Sequence, residues 1–415
     1  MGTMWNGLSF MFPEESYMRM IVILAVTVLW SLWSVSSFFR DRNQPPLPPG
    51  SFGLPFIGQT VEYLFALRTA DGIEQWVQKK IDKHGPIFKW RFMGFPMVIM
   101  DQPEGNKFIF QNEGTSHHIF WPPFLSSLIG PDSLMKQSGE PHKLARRHFN
   151  RFFDHAAMSR YLHGVNRNAV RHFTKHWQGR EQLVALDMTH LYTFSTICSL
   201  LMTLEEGPLM DKFLLQFDMW AKGLTSLPVN LPGFQYHKAV KARKLIYEML
   251  DGLLEQRRTE IAEDRVSEAS KVDILNSLLI VPDEEGNLLP DSYIKDNLLL
   301  LLFAGFDTSS STLAMVIYYI AKYPHVYKEI VQEHKLILEE KHANGKDDDS
   351  LTMEDLSAMK YTWRVIKETL RFQPVSPGSF RKTITNLEYK GYYIPKGWLV
   401  CYSHLKSLRI LYVDD

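Results

Sequence analysis

The sequence predicts a mainly α fold with a minor antiparallel β part, preceded by one N-terminal transmembrane helix. Three observations carry this. Helical apolar periodicity runs from Pro103 to about His334 and returns over Tyr361 to Phe372. Aromatic-rich, alternating segments flank that body, at 87–100 before it and 379–402 after it. Residues 20–39 carry no charge.

The chain has 415 residues, 45% of them hydrophobic, which suffices for one large domain or two ordinary ones. Its formal net charge of +0 gives no electrostatic case for nucleic acid. The cysteines, Cys198 and Cys401, lie far apart in sequence, which argues against a disulfide framework or a cysteine-rich metal site and suits a reducing compartment. No internal repeat or zinc-type ligand spacing is present.

In chain order, 1–19 is assigned as a lumenal segment and 20–39 as the transmembrane anchor. At about 1.5 Å per residue the anchor spans roughly 30 Å, the thickness of a bilayer's hydrocarbon core. Trp30, Trp33, Phe38 and Phe39 sit toward its C-terminal end, as at a membrane interface. A cleaved signal peptide is the alternative, but it calls for a shorter apolar region, and Ser34-Val35-Ser36 is a poor cleavage site. Arg40 and Arg42 after the span, against Arg19 before it, place the main body in the cytosol. Residues 40–50 form a hinge whose "PPLPPG" is stiff because proline fixes φ; a plain linker has the same composition.

The body occupies 51–403. "IFKWRFMGFPMVIM", 87–100, reads as a hairpin turning at Gly94-Phe95-Pro96. Proline-containing loops are expected at 122–131, 228–232 and 282–290, and Asp347 to Asp349 reads as a solvated loop. Thr352-Met353-Glu354-Asp355 is a capping box opening a helix that leads into Tyr361 to Phe372. Strands follow at 379–384 and 391–402, placed to pair with the early hairpin.

Three constellations stand out. In "LLLLLFAGFDTSSSTL", 298–313, a buried helix is interrupted by Gly305, Asp307 and Thr308. Mid-helix glycine costs on the order of 1 kcal/mol relative to alanine, and a buried acid needs a partner. The pattern predicts a local bulge opening a small cavity beside Ala304 and Gly305, suited to proton delivery; a tolerated kink is the plain alternative. Asp307 argues against a second membrane span here. Secondly, Glu368 and Arg371 share a helix face, with Arg381 following in "PGSFRK". Thirdly, "GEPHKLARRHFNR", 139–151, stacks His142 on Arg146, while Lys143, Arg147 and Arg151 form a second row; a basic solvated face is the alternative.

In combination, the chain resembles the cytochrome P-450 family of haem-thiolate monooxygenases. The motif order is similar throughout: anchor, hinge, "KHGPIFK", "PEGNKFIF", "GEPHKLARR", "AGFDTSSS", "ETLR", "PGSFRK" and "YYIPKGW". The hinge and "GSFRKTITNLEYKGYYIPKGW" look most like plant oxidases of terpenoids and steroid-like hormones, such as taxane hydroxylases and triterpenoid oxidases. The resemblance implies haem b, with its propionates on His142, Arg146 and Arg381. It implies an oxygen groove at Ala304 and Gly305 and proton relay by Asp307 and Thr308. Glu368 and Arg371 become a buried structural pair beneath the haem. It further implies hydroxylation of a small hydrophobic substrate in the endoplasmic reticulum membrane. Electrons come from NADPH through NADPH–cytochrome P-450 reductase, and the row Lys143, Arg147, Arg151 is available to that acidic partner.

One departure is large. The family's iron-ligating cysteine lies in a Phe-x-x-Gly-x-x-x-Cys-x-Gly loop, and no such loop occurs here. Cys401, in "WLVCYSH", has no glycines around it and reads as a small buried strand residue; Cys198 reads as core. Likeness fades near Ser403, and 404–415 is a divergent tail. The expectation is a family member cut short, with a non-catalytic membrane-bound product or an unstable fragment as rivals to an active enzyme.

Overall fold

The computed structural model describes residues 28, 45–54, 58–66, 69, 72–150, 152–267, 273–282, 286–345, 350–376 and 378–403. The anchor (Val28 apart), the segment before it, Arg151 and the tail at 404–415 lie outside them. The chain divides into two compact units, residues 1–120 with 377–415, and 121–376.

The first unit is built on a five-stranded sheet. Hairpin strands β1 (Ile87–Phe92) and β2 (Phe95–Met100) are joined by later strands β4 (Gly378–Thr383) and β7 (Leu399–Ser403), with β3 (His117–Ile119) at the far edge. A separate ribbon pairs β5 (Leu387–Tyr389) with β6 (Tyr392–Ile394). The two sequence-distant β parts therefore do pair. The predicted antiparallel character needs correction in one place, because β2 and β7 run parallel, Met97 facing Leu399. Two hairpin strands cannot both be antiparallel to a third strand laid beside one of them, so the returning chain decides the hand. The turn is also one step earlier than expected. Met93 and Gly94 hold φ 48° and 84°, a pair of left-handed residues that suits hairpin twist, and Phe95 and Pro96 already belong to β2. Pro96 faces only Arg91, because pairing with β7 begins at Met97, so no ladder donor is lost.

Both sheet faces are buried. Phe88, Trp90, Met97, Ile99 and Leu399 pack with Trp76 of helix α2 (Gly72–His84). Ile87, Val98, Met100 and Val400 pack with Ile109 of α3 (Pro103–Gln111). Short helix α1 (Thr60–Ala66) adds Tyr63, whose ring lies 5.3 Å from that of Trp90. The proline-rich hinge is pinned here: Lys89 donates from its backbone N–H to Pro49 O and from Nζ to Pro48 O, both at 2.7 Å. Gly50 is required at that contact, with φ 119° and the place of a Cβ only 2.2 Å from Lys89 O.

The second unit is helical. Its elements are α4 (Pro123–Ile129), α5 (Gly139–Asn150), α6 (His155–His176), α7 (Ala185–Met202), α8 (Pro208–Leu224), α9 (Gln235–Ala262), α10 (Ile274–Ile280), α11 (Asp291–Lys322), α12 (Pro324–Ala343), α13 (Met353–Ala358) and α14 (Lys360–Phe372). Helix α4 falls where a loop is expected at 122–131. Proline at its first position supplies a preset φ and no orphan N–H, so it starts a helix here instead of breaking one. Trp220 Nε1 donates to Leu128 O at 2.9 Å, and Tyr236 Oη to Phe124 O at 2.7 Å, which ties α8 and α9 to α4. By length and composition α11 is apolar enough to cross a membrane, with hydropathy 1.5. Its Ile294, Leu298, Leu302 and Phe306 are instead buried in the unit's shared core, one turn apart along a single face. The capping box is present, Thr352 accepting from Asp355 N and Asp355 from Thr352 N, but its helix ends at Ala358 and α14 begins separately.

Candidate functional site

Helix α11 carries the polar interruption, and no bulge accompanies it: α-helical structure runs unbroken from Asp291 to Lys322. The hydroxyls explain why. Thr308 Oγ1 donates to Ala304 O at 2.5 Å and Thr312 Oγ1 to Thr308 O at 2.8 Å, each joining a carbonyl one turn back without displacing the backbone ladder.

Asp307 corrects a second expectation. Its side chain is 59% exposed, so the acid is not buried, and His190 of α7 places Nε2 at 4.0 Å from Asp307 Oδ1. Ala304, Thr308 and Ser309 share that exposed flank, while Phe306 and Ser310 point into the core. The helix is thus one-sided: leucine periodicity fills one face, and the acid, the alcohol and the small residue occupy the other.

Gly305 opens no groove. A Cβ there would lie 2.5 Å from Ile197 Cδ1, so the glycine admits a side chain of α7. A cavity of about 300 Å3 lies instead at the C-terminal end of α11, where Tyr319, Tyr323, Tyr361, Val365 and Phe372 wall it and Glu368 borders it.

Glu368 and Arg371 of α14 do pair, with Arg371 Nε donating to Glu368 Oε2 at 2.9 Å. That pair is not buried, since the Glu368 side chain is 53% exposed. The Arg371 hydrogen bond holds the Glu368 carboxyl below its ordinary range, so both charges are present at neutral pH.

The cations sit as follows. His142 is half-buried and Arg146 exposed on α5, where Arg146 Nε donates to Asn150 Oδ1 at 3.2 Å. Lys143 pairs with Glu140 at 2.6 Å, and Arg147 is exposed on the same helix. In the sheet unit Arg381 is buried on β4. It donates to Glu113 Oε2 at 3.2 Å and to Ser379 Oγ at 2.8 Å, while its Nε, also buried, has no acceptor. The missed partner, Glu113, lies far away in sequence, and no local pattern marks it.

Neither cysteine resembles an activated thiol. Cys401 lies on β7 between Ile99 and Phe380, and its Sγ donates to Tyr402 O at 3.3 Å. Burial pushes its thiol up to about 12; Arg381 pulls against that and Asp101 adds to it. Cys198 is fully buried in the helical core, and burial drives its thiol up as well.

Comparison with known proteins places these features. The cytochrome P450 family model matches residues 48–409. Taxane 13-alpha-hydroxylase of Taxus cuspidata is 34% identical over 363 residues, 87% of this chain and 73% of that protein. Beta-amyrin 28-monooxygenase of Vitis vinifera is 31% identical over 395 residues, 94% of this chain and 80% of the relative. Among solved structures, retinoic acid-bound cyanobacterial CYP120A1 superposes with a TM-score of 0.77 at 28% identity, covering 90% of this chain and 80% of its own. Family and neighbours imply a haem group. The donor left over at Arg381 Nε fits a propionate carboxylate. The thiolate ligand does not find a fit in Cys198 or Cys401, each a buried thiol kept protonated.

Proposed function

This chain belongs to the cytochrome P450 family, whose members are monooxygenases, and we propose that it hydroxylates a C–H bond of a hydrophobic terpenoid or sterol-like substrate. The taxane and beta-amyrin oxidases among its relatives support that substrate class. Electrons come from NADPH through NADPH–cytochrome P450 reductase, to which Lys143 and Arg147 offer a basic face. The uncharged run at 20–39, flanked by arginines, supports a single-pass anchor in the endoplasmic reticulum membrane with the body in the cytosol. Haem, when bound, supplies the iron at which dioxygen is activated.

The observation that carries the reading is the pairing of Asp307 with Thr308 on the exposed flank of a helix whose other face is core. Asp307 takes up a proton at its carboxylate, and Thr308 passes it on through Oγ1. Ala304 on the same flank leaves room for a diatomic ligand, while Gly305 lets Ile197 close the space behind. His142 and Arg146 of α5, and Arg381 of β4, would each offer a cation to a propionate, and Arg381 donates to Glu113 Oε2 at 3.2 Å. Glu368 and Arg371 brace α14. In haem-loaded microsomes with reductase, Asp307→Asn slows product formation by on the order of 100-fold, as loss of a general acid does. Thr308→Ala diverts NADPH electrons to peroxide. Unchanged turnover and coupling in both variants overturns the reading.

The two buried thiols favour a second reading, a membrane-bound protein whose haem iron lacks thiolate ligation. Reducing the microsomal chain under carbon monoxide decides between them: a thiolate-type absorbance band rejects the second reading, and its absence from intact protein rejects thiolate-dependent turnover by this chain.

A further inference from the structure

We propose that His190 is the residue through which solvent protons reach Asp307, a positioning residue acting on the acid and not on the substrate. The inference rests on the reading of Asp307 as the proton source.

His190 sits on α7, and its imidazole Nε2 lies 4.0 Å from Asp307 Oδ1. Its side chain is 34% exposed, so part of the ring meets solvent. The ring is also held against Phe306, the neighbour of the acid in sequence, with centroids 4.9 Å apart and planes tilted by 43°. A ring held against Phe306 sits beside the backbone that carries the acid. At 4.0 Å a direct hydrogen bond is not made; a small rotation of Asp307, or one bridging water, closes the gap.

The charged groups facing Asp307 come from two neighbouring helices. Helix α7 supplies His190; α8 supplies Asp218 and, beside it, Lys222. Burial pushes the Asp218 carboxyl up, Lys222 and His190 pull it down, and Asp307 pushes it up again. The four groups therefore share one field. Imidazole is the side chain best matched to exchange near neutral pH.

The proton count closes. Hydronium from solvent protonates the imidazole at Nδ1, Nε2–H passes its own proton to Asp307 Oδ1, the carboxylic acid releases it toward Thr308 Oγ1, and exchange of the Nδ1 proton with solvent for one at Nε2 resets the ring. Two such passages per turnover match the two electrons from the reductase. One oxygen atom of dioxygen enters the C–H bond and the other leaves as water.

The experiment has two arms. The first needs no turnover. Chain carrying 13C at histidine Cε1 is followed by NMR in detergent micelles, the His190 resonance being assigned by its disappearance in His190→Gln. Asp307→Asn shifts this resonance, because Nε2 faces the replaced carboxylate. A resonance indifferent to Asp307 at every pH overturns the proposal. In the second arm, haem-loaded protein with reductase is assayed for product formed per NADPH consumed. His190→Gln lowers that ratio by about three- to tenfold, less than loss of the acid itself. His190→Lys, which restores a cationic donor, recovers most of the ratio, a rescue that a packing role does not give. Unchanged coupling across the pH range in folded His190→Gln overturns the proposal. Intact coupling in Asp307→Asn marks failure of the Asp307 reading; coupling lost in Asp307→Asn but kept in His190→Gln marks failure of this inference alone.

Discussion

Position 305 shows how a residue-scale question is settled by direction. From sequence, a glycine beside an acid and an alcohol in a leucine-rich helix signals deliberately created space, and that much was legible. Which way the space opens depends on the neighbour across the helix, and Ile197 lies more than a hundred positions away. Gly305→Ala therefore sets two small terms against each other. Helix propensity gains about 1 kcal/mol, and Ile197 must give way at the far end of a flexible side chain. The expected change in the urea midpoint is close to zero. Gly305→Leu drives several atoms into α7 and costs about 1–3 kcal/mol, as overpacking does. Should Gly305→Ala destabilise as much as Gly305→Leu, the contact with Ile197 is more rigid than this account allows. His190 was illegible for the same reason: nothing in "DMTHLYTF" distinguishes a histidine that faces an acid on another helix.

At the scale of elements, local chemistry was read well where it acts within one turn and badly where a neighbour intervenes. The Thr352 capping box was visible because both partners lie within four residues. The break before α14 was not, because Met359 at its N-cap offers no side-chain acceptor. Glu333 of α12 performs that task across space. Its carboxylate accepts from Tyr361 N at 2.6 Å, Thr362 N at 2.9 Å and Thr362 Oγ1 at 2.7 Å, satisfying donors that every helix start leaves open. Burial alone would push the Glu333 carboxyl up, but these bonds outweigh it and hold it below the ordinary 4.5. A depressed folded value means that the stabilisation is fully present above about pH 4.5 and is lost as pH falls through the lower folded value. Glu333→Ala is expected to cost about 1 kcal/mol at neutral pH, the usual worth of a cap. In acid the variant and the unaltered chain converge, so their urea midpoints should differ at pH 7 and draw together as pH falls through the lowered value of Glu333; a difference that persists unchanged into acid would show that the carboxylate's charge is not what caps α14. Because α14 carries Glu368 and Arg371, the same variant tests how far that pair depends on the helix's start.

For the molecule as a whole, family membership was legible because its motifs are local strings in a fixed order, whereas the sheet's mixed hand and the exposure of Asp307 and Glu368 arise only when distant segments meet. The thiols join both kinds of information. Each compact unit holds one cysteine, Cys401 in the sheet and Cys198 among the helices, and both are buried. Alkylation requires thiolate, and raising the Cys401 thiol from 9.0 to about 12 lowers its thiolate fraction at a given pH by on the order of 1000-fold. Burial also blocks approach of the reagent. Native protein treated with a maleimide at mild alkaline pH should therefore label at neither position, and urea should expose each site as the unit that holds it unfolds. Mass spectrometry of the two tryptic peptides separates the sites. Rapid native labelling confined to Cys401 would mean that β7 opens and yields a thiolate, which would restore that residue as a ligand for iron. Protection at both sites, joined to retained haem, would mean a porphyrin held without thiolate, and Arg381→Ala, which removes the buried donor left without an acceptor, should then release it far more readily than any change at either cysteine.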